Sequence, residues 1–456
     1  MIVRNKYTGE IIAEFKDTTL KDAEEILNRS KKAFKEMLKL PAYERYEALM
    51  KVAKEVKDQK KRFAKIITEE MGKPIKYSVK EVDRASFILQ CSAEESKRLY
   101  GETIPMDVEP RGKGVIAFYN RVPIGPVYSI TPFNDPLVVL AHKVGPAIAS
   151  GNTIISKPAS LTPYAASVLN KLVEESGLPD GTMQTIFAPG GGEISNFFLA
   201  SDDIKMITFT GGTEAADRLI KNAGVKKYTM ELGNNSPVIV WDDADIEEAA
   251  VRITDAAMES QGQNCLHAQR IIVNNKVYNE FKEELIEKVA SLKVGDPMDP
   301  TTDFGPMISE GEAKRVENCV KEAVKKGAKV IIGGVRDRNI YMPTLLENVN
   351  PTSEIWKKEI FGPVTALMSV NTFDEAIDLA NDVPYGLQAG IFTSNFGLAI
   401  RGIRELDFGS VLVNDTSDFR IDVMPFGGMK KSGLGREGIR FAINEMTEIK
   451  LVIMRV

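Results

Sequence analysis

Short apolar segments alternate with amphipathic helical segments along most of this chain, and this alternation limits the possible folds more than any other feature. Residues 125–130 and 206–210, for example, are short and apolar, and a Gly- or Pro-containing turn and a helical pattern follow each of them. Strands that alternate with helices form mainly parallel sheets, and such sheets bind ligands at the carboxyl ends of their strands. The sequence therefore predicts a doubly wound α/β fold.

The predicted strands fall into two series that meet near residue 233, so we expect two α/β domains. Three helices, at about residues 20–37, 42–71 and 77–98, precede the first series. Extended segments at residues 115–119 and 450–456 lie outside the alternation, and we expect them to pair with each other or with another subunit. The predicted strands are residues 125–130, 152–158, 183–187 and 206–210, and then residues 237–241, 270–273, 329–332, 364–370, 389–392 and 409–413.

The composition excludes several classes of protein. Hydrophobic residues make up 43% and charged residues 27% of the chain, which is ordinary for a globular protein, and the net charge of −5 offers no basic surface for nucleic acid. His142 and Lys143 interrupt the most apolar stretch, residues 136–155, so no membrane span is expected. Without a recognisable signal peptide, we expect a cytoplasmic protein. Two histidines and no Cys-x-x-Cys pattern argue against a metal site.

Cys265 differs from the other two cysteines because it lies in a polar, glycine-containing stretch, Ser-Gln-Gly-Gln-Asn-Cys. Cys91 and Cys319 lie in apolar contexts typical of structural cysteines. A thiolate is a strong nucleophile when its pKa is lowered or a base is near. Glu231 lies between two apolar residues at the end of a predicted strand, where its pKa would rise and suit a general base. Taken alone, a salt-bridged or capping glutamate explains Glu231 equally well.

Two glycine turns, residues 188–193 and 209–214, each follow a strand and begin a helix. Such turns present backbone N–H groups to a phosphate. Neither has the Gly-x-Gly-x-x-Gly spacing or a P-loop pattern, so each is a weak signal by itself. The absence of Gly-x-Ser-x-Gly argues against a hydrolase with a serine nucleophile.

Several motifs, in order along nearly the whole chain, resemble the aldehyde dehydrogenase superfamily. The 34 residues from Glu231 to Cys265 match the family's spacing of base and nucleophile. The resemblance implies oxidation of an aldehyde to its acid with NAD or NADP, by a homodimer or homotetramer. The motifs are Thr-Pro-Phe-Asn-Asp-Pro at 131–136, Lys-Pro-Ala at 157–159, Phe-Thr-Gly-Gly-Thr-Glu at 209–214, Met-Glu-Leu-Gly at 230–233, Gly-Gln-Asn-Cys at 262–265, Glu-Ile-Phe-Gly-Pro-Val at 359–364 and Pro-Phe-Gly-Gly-Met-Lys-Lys-Ser-Gly-Leu-Gly-Arg-Glu-Gly at 425–438.

The resemblance also implies domains with separate tasks. Residues 1–104 and 122–233 are expected to form the cofactor-binding domain, and residues 234–435 the catalytic domain. Residues 105–121 and 436–456 are expected to form a small β element for oligomerisation.

Site residues follow from the same resemblance. Cys265 is the implied nucleophile, Asn134 and the Cys265 N–H the oxyanion donors, and Glu231 the base that activates water to release the acid. Lys143 is expected near the thiol and the base. The residues implied for cofactor binding are Thr131, Pro132, Phe133, Lys157, Ser160, Gly211, Gly212, Leu232, Gly233, Glu359 and Phe361.

Three departures from the family pattern bear on the cofactor and the base. Ser160 stands where the family often has a Glu that bonds the ribose of NAD, and the loss of that anion removes repulsion toward a 2′-phosphate. NADP should therefore be tolerated and is a candidate for the preferred cofactor. Gly212 replaces a common Ser and loses one hydroxyl contact. Asn234 follows Gly233 where the family has a second Gly, and the sequence offers no account of this change.

In this resemblance, Arg84 and Arg420 lie near the mouth of the aldehyde tunnel, and His142 is expected to add polarity. An Arg suits a carboxylate, sulfonate or phosphonate because its fork donates two hydrogen bonds. We therefore expect a short hydroxylated or anionic aldehyde, such as lactaldehyde, glyceraldehyde, or a phosphono- or sulfo-substituted acetaldehyde. The alternative reading of the two arginines is a pair of surface salt bridges.

Two other functions remain open. A CoA-acylating relative would pass the thioester to CoA, although such enzymes typically lack the base that Glu231 represents. A structural or binding protein that reuses the fold would not need Cys265, Glu231 and Asn134 together.

Overall fold

The computed structural model describes all 456 residues and contains fifteen α-helices and twenty β-strands. The helices are α1 (Leu20–Met37), α2 (Ala42–Asp58), α3 (Lys60–Met71), α4 (Ile75–Ser96), α5 (Val138–Ala149), α6 (Tyr164–Glu174), α7 (Glu193–Ala200), α8 (Thr213–Ala223), α9 (Ile246–Met258), α10 (Tyr278–Ala290), α11 (Glu310–Lys325), α12 (Glu354–Lys357), α13 (Phe373–Asn381), α14 (Phe396–Glu405) and α15 (Ile439–Glu445). The strands are β1 (Ile2–Arg4), β2 (Ile11–Glu14), β3 (Glu102–Ile104), β4 (Val115–Pro123), β5 (Pro126–Ile130), β6 (Thr153–Lys157), β7 (Met183–Thr185), β8 (Met206–Thr210), β9 (Lys227–Glu231), β10 (Ser236–Val240), β11 (Ala268–Asn274), β12 (Lys329–Ile332), β13 (Arg336–Asp337), β14 (Ile340–Tyr341), β15 (Thr344–Glu347), β16 (Val364–Val370), β17 (Gln388–Phe392), β18 (Ser410–Val413), β19 (Gly433–Leu434) and β20 (Thr447–Arg455).

The helices before the first sheet follow their sequence signals, with one correction. Thr19 and Asp22 form a capping box at the start of α1. The single helix predicted over residues 42–71 is wrong, because α2 ends at Asp58 and α3 begins at Lys60. Residues 57–62 are all polar or charged, so no apolar side chain at this junction packs against the core and holds α2 and α3 together as one straight helix.

The first large sheet has six strands in the order β19-β9-β8-β5-β6-β7. Strands β5 to β9 are parallel, and only β19 runs antiparallel to its neighbour β9. Alternate residues of β5 and β6 face two different apolar clusters, one built with α2 to α6 and the other with α1, α7 and α8. Helices therefore cover both faces of this sheet.

The second large sheet has seven strands in the order β12-β15-β16-β11-β10-β17-β18, all parallel except β12. Its two faces contribute to two apolar clusters, one with α11 to α13 and the other with α9 and α10. The two series of strands thus form two sheets that divide after residue 233, and the prediction of a doubly wound α/β fold is confirmed.

The two segments outside the alternation pair with each other, as expected. Strand β20 lies antiparallel to β4 over nine residue pairs, and β3 completes a three-stranded sheet. Between the second large sheet and β20, the chain returns to the first: β19 pairs with Glu231 and Met230, and α15 buries Ile439 and Ile443 among the N-terminal helices. Residues 433–446 therefore pack with the first sheet, whereas the predicted division put them in the catalytic domain and the oligomerisation element. No helix of the chain has both the length and the apolar character needed to cross a membrane.

Candidate active site

A cavity of about 720 Å³ opens where the carboxyl ends of β5, β8 and β9 face the loop that precedes β11. Most of the predicted site residues line it. Four do not: Lys143, His142, Lys157 and Ser160 lie outside its surface. The predicted residues that line the cavity are Arg84, Thr131, Pro132, Phe133, Asn134, Gly211, Gly212, Glu231, Leu232, Gly233, Cys265, Glu359, Phe361 and Arg420.

A strained loop carries Cys265 into the cavity. Ser260, Gln261 and Gly262 all adopt left-handed backbone conformations, with φ values of 51°, 60° and 61°. Gly262 is required here, since a Cβ atom would lie 2.4 Å from the carbonyl oxygen of Gly362. Strain of this kind is typical of functional sites. Burial raises the pKa of the Cys265 thiol, whereas the positive charge of Arg420 lowers it.

Glu231 is the last residue of β9 and is only 4% exposed. Neither of its carboxylate oxygens has a hydrogen-bond partner in the protein. Burial raises the pKa of Glu231 well above its ordinary value, and the negative charge of Glu437 raises it further, against the opposing charges of Arg420 and Lys143. A buried, unpaired carboxyl that faces a cavity is a candidate general base.

A buried lysine organises the turn that carries Asn134. Lys73 Nζ donates to the Asn134 carbonyl oxygen at 3.0 Å and forms ion pairs with Asp135 at 2.6 Å and Glu81 at 2.5 Å. Glu81 in turn accepts the N–H groups of Leu137 and Val138 at the start of α5. The side chain of Asn134, 4% exposed as a residue, therefore belongs to a turn that is fixed at its backbone.

Lys143 lies behind the cavity wall and reaches the site through Glu437. Its Nζ donates to Thr208 Oγ1 and to Glu437 Oε1, both at 3.0 Å. Despite the burial of Glu437, Lys143 and Arg420 lower its pKa to about 2, so this carboxylate is ionised. The charge that raises the pKa of Glu231 is thus held in place by Lys143.

The predicted substrate-binding residues form one cluster around Asp422. Arg84 donates to both oxygens of Asp422, at 3.2 and 2.7 Å, and His142 Nε2 lies 3.0 Å from Asp422 Oδ1. Arg420 Nη2 lies 3.0 Å from His142 Nε2 and 3.2 Å from Glu437 Oε2. Burial lowers the pKa of His142 to about 4, so the ring is neutral at neutral pH. Arg84 and Arg420 line the cavity, whereas His142 lies outside its surface and contacts Asp422 and Arg420.

Most of the predicted cofactor-binding residues line the part of the cavity that α8 and Glu359 border. Helix α8 begins at Thr213, and its N-cap, Gly212, has no side chain to cap it, so the N–H groups of Thr213 and Glu214 have no partner in the protein. A Cβ at Gly212 would meet nothing within 4 Å. A Cβ at Gly233 would lie 2.9 Å from Glu359 Oε2, so glycine lets this backbone approach the carboxylate without displacing the Glu359 side chain. Burial raises the pKa of Glu359 to about 7, and the rings of Phe133 and Phe361 meet edge to face at 5.6 Å.

Lys157 lies in β6, and Ser160 lies in the turn that follows this strand. Burial lowers the pKa of Lys157, the last residue of β6, to about 8. Ser160 Oγ donates to the Ala188 carbonyl at 3.2 Å. Between them, Ala159 lines the cavity, so both residues border its edge.

Several charged residues of the site were not anticipated from the sequence. Glu437 lies in the C-terminal motif Gly-Arg-Glu-Gly, and that resemblance was the one signal that pointed to it. No local pattern marked Lys73, Glu81 or Asp422, and Asp135 lies in the motif at residues 131–136 but had no predicted role. The chain contains no group of three or more His, Cys, Asp or Glu side chains arranged to hold a metal ion.

Comparisons with known proteins extend over the whole chain. The aldehyde dehydrogenase family matches residues 1–452. A 3-sulfolactaldehyde dehydrogenase from Priestia megaterium is 44% identical over 454 residues, which cover 100% of this chain and 94% of that protein. A lactaldehyde dehydrogenase from Methanococcus aeolicus is 39% identical over 459 residues, which cover 99% of this chain and 96% of that protein.

Two solved structures are similar throughout. Aldehyde dehydrogenase 21 from Physcomitrella patens, in complex with the reaction product succinate, has a TM-score of 0.97 and 40% identity and covers 100% of this chain and 95% of its own. The glyceraldehyde-3-phosphate dehydrogenase GapN from Methanocaldococcus jannaschii, complexed with NADP, has a TM-score of 0.96 and 37% identity and covers 100% and 99%, respectively.

Proposed function

Because this chain belongs to the aldehyde dehydrogenase family, we propose that it oxidises a small hydroxylated or anionic aldehyde to its carboxylic acid with NAD(P). The observation that carries the proposal is that Cys265, Glu231 and Asn134 line one cavity. A nucleophile, a base and an amide donor on one cavity are the parts needed for chemistry through a covalent intermediate. The relatives' names support the substrate class, since 3-sulfolactaldehyde is anionic and lactaldehyde is hydroxylated.

In the first step, the sulfur of Cys265 bonds to the aldehyde carbon. The thiol is protonated at neutral pH because burial raises its pKa, and Glu231, whose pKa burial also raises, is a base strong enough to take the proton. The carbonyl oxygen becomes an oxyanion and accepts hydrogen bonds from the Asn134 amide and the Cys265 N–H. A donor of this kind is typically worth about 3–4 kcal/mol in the transition state.

The cofactor would occupy the part of the cavity between α8 and Glu359. When bound, NAD(P) supplies hydride acceptance, which converts the thiohemiacetal into a thioester. Gly211 and Gly212 would hold the pyrophosphate at the uncapped end of α8, Glu359 the nicotinamide ribose, and Lys157 the adenine ribose. The other residues proposed to contact the cofactor are Thr131, Pro132, Phe133, Ser160, Leu232, Gly233 and Phe361.

In the second step, Glu231 releases the product. After the proton taken from the thiol has passed to solvent, the ionised Glu231 carboxylate takes a proton from a water molecule whose oxygen attacks the thioester carbon. The sulfur of Cys265 leaves as a thiolate and then takes that proton from Glu231, which restores the starting thiol. Arg420 stabilises that thiolate, because its charge lowers the pKa of the thiol. Lys143 acts through Glu437, whose fixed charge keeps Glu231 basic.

The substrate's polar end would lie against Arg84 and Arg420. Both guanidinium groups line the cavity, yet each already has an anionic partner, Asp422 or Glu437. A substrate carboxylate or sulfonate would bind their remaining N–H groups, and a hydroxylated aldehyde would use the same donors singly. His142 orients the cluster from behind.

The remaining expectations belong to the same proposal. Residues 1–104 and 122–233 would bind the cofactor, residues 234–435 would supply the nucleophile, and the three-stranded sheet would join copies into a homodimer or homotetramer. All three cysteines are free thiols, which suits the reducing cytoplasm. We propose no nucleic acid, membrane or metal partner.

The test is a panel of aldehydes with NAD and NADP, followed by the absorbance of the reduced cofactor. Cys265→Ala should abolish turnover, whereas Cys319→Ala, which changes a half-buried cysteine outside the cavity, should leave kcat within twofold. Turnover that survives Cys265→Ala would refute the assignment of the nucleophile. The CoA-acylating alternative predicts that product formation requires CoA, and the non-enzymatic alternative predicts no turnover with any aldehyde.

A further inference from the structure

Asn234 connects three parts of the site that lie far apart in the sequence. It follows Gly233 directly after β9 and is 2% exposed. Its backbone N–H donates to Glu359 Oε1 at 3.1 Å. Its side-chain Nδ2 donates to the carbonyl oxygen of Cys265 at 2.9 Å and to Ser236 Oγ at 2.5 Å, while its Oδ1 accepts from the Leu387 N–H at 3.4 Å. One buried side chain thus links the strand of Glu231 to the loop of Cys265.

The contact with Cys265 is the one that matters for chemistry. No other donor in the protein reaches the Cys265 carbonyl. The preceding residues 260–262 are in left-handed conformations, so the loop has no regular backbone ladder to define its shape. The peptide that carries this carbonyl begins at the Cα of Cys265, and the amide of Asn234 therefore restrains the backbone from which both the thiol and the oxyanion-donating N–H project.

We propose that Asn234 is a positioning residue that holds Cys265 at a fixed position relative to Glu231. The proposal rests on the proposed function for the identity of the nucleophile. The family motif has a second glycine at this position, and a glycine has no side-chain amide to offer the Cys265 carbonyl. In this chain a side chain supplies the restraint, so the site depends on a residue that the family pattern lacks.

The decisive variant is Asn234→Gly, because it keeps the backbone N–H bond to Glu359 and removes only the side-chain amide. We expect kcat per titrated Cys265 to fall about ten- to hundredfold, since small displacements of a reacting group have effects of this size. KM values for aldehyde and cofactor should stay within twofold. Ser236→Ala is the matched control: it removes the other acceptor of the same amide and leaves the Cys265 contact, so kcat should stay within twofold.

A readout independent of turnover separates this inference from the proposed function. Alkylation of Cys265 by iodoacetamide is followed by peptide mass spectrometry from pH 6 to 10. In Asn234→Gly the alkylation profile should move to lower pH, because a released thiol leaves the buried position, which raises its pKa more than the charge of Arg420 lowers it. If the wild type oxidises no aldehyde, the proposed function fails, and the alkylation profile still decides the role of Asn234.

The inference is overturned if Asn234→Gly has wild-type kcat per titrated thiol and an unchanged alkylation profile. Equal losses in Asn234→Gly and Ser236→Ala would also overturn it, because they would reflect a structural role of the amide. Should Asn234→Gly fail to fold, Asn234→Asp has the same shape but replaces the donor amide with an acceptor. Its kcat at pH 8 should then fall at least tenfold, and a wild-type value would overturn the inference.

Discussion

Replacement of Arg84 tests the proposed recognition of anionic substrates. The Arg84 guanidinium lines the cavity and makes two hydrogen bonds to Asp422, at 3.2 and 2.7 Å. The two partners differ in exposure: the Arg84 side chain is 38% exposed, whereas that of Asp422 is 5% exposed. Arg84→Gln therefore removes the cation that would meet the substrate and leaves a buried carboxylate whose remaining partners are His142 at 3.0 Å and Arg420 at 3.9 Å.

The expected magnitude follows from the charge-assisted contact. Hydrogen bonds to charged groups are worth about 1.5–3 kcal/mol, and about 1.4 kcal/mol is a factor of ten in affinity. Arg84→Gln should raise KM for an anionic aldehyde roughly 10- to 150-fold, with the freed charge of Asp422 adding repulsion. Asp422→Asn should act in the opposite direction and lower that KM, because Arg84 then loses the carboxylate that it contacts directly.

The assay compares KM for a sulfonated or carboxylated aldehyde with KM for propanal in both single variants and in the double variant. KM for propanal should change less than twofold throughout. Unfolding measurements provide a second check. Arg84→Gln should be destabilised by about 1–3 kcal/mol, because Asp422 loses a half-exposed cation but keeps Arg420 and His142 nearby, and the double variant should regain most of that loss. Equal changes of KM for charged and uncharged aldehydes would refute the reasoning and make Arg84 a structural ion-pair partner.

Three further changes probe the base, the cofactor and the assembly. In Glu231→Gln the free energy of unfolding should exceed that of the wild type, and the difference should grow as the pH rises from the ordinary glutamate pKa to the raised pKa of Glu231. Over this interval the folded wild type retains a proton that the unfolded chain has lost. Thermal unfolding at several pH values measures the difference, and a difference that stays constant with pH would contradict the assignment. Ser160→Glu should shift the ratio of kcat/KM for NAD over NADP roughly tenfold or more toward NAD by repelling the 2′-phosphate, and an unchanged ratio would dismiss that repulsion. Leu451→Lys places a charge on β20, where Ile449, Leu451 and Ile453 are exposed on one side of the strand, and should lower the mass measured by light scattering; an unchanged mass would contradict oligomerisation through this sheet.

The large sheets were predictable because their signals are local. Apolar runs of four to seven residues, bounded by glycine or proline, coincide with β5, β8 and β16 almost residue for residue. A buried parallel strand needs apolar side chains on both faces, so its sequence is distinctive by itself. The break at Gln59 was missed, because the helical periodicity resumes after it and only the polar run at residues 57–62 marks the interruption.

The charged scaffold of the site was not predictable, since its partners meet only in the fold. Lys73 binds Asp135 across 62 positions, and His142 meets Asp422 across 280. A lysine or aspartate on a helix or in a loop reads locally as an ordinary surface residue. The contact of Asn234 was unpredictable for the same reason. Its acceptor is the Cys265 carbonyl, 31 positions later, and the contact depends on a left-handed loop that no pattern in the sequence indicated.

The central claim is that Cys265 forms a covalent acyl intermediate that Glu231 then releases. Mass spectrometry of Glu231→Gln after mixing with aldehyde and NAD(P) tests it most directly. The account predicts that the peptide containing Cys265 gains the mass of the acyl group and that one equivalent of reduced cofactor appears per site, more slowly than in the wild type because Glu231 no longer takes the thiol proton. Turnover should then stop. A variant that turns over at the wild-type rate, or that carries the acyl group on another residue, would contradict the account.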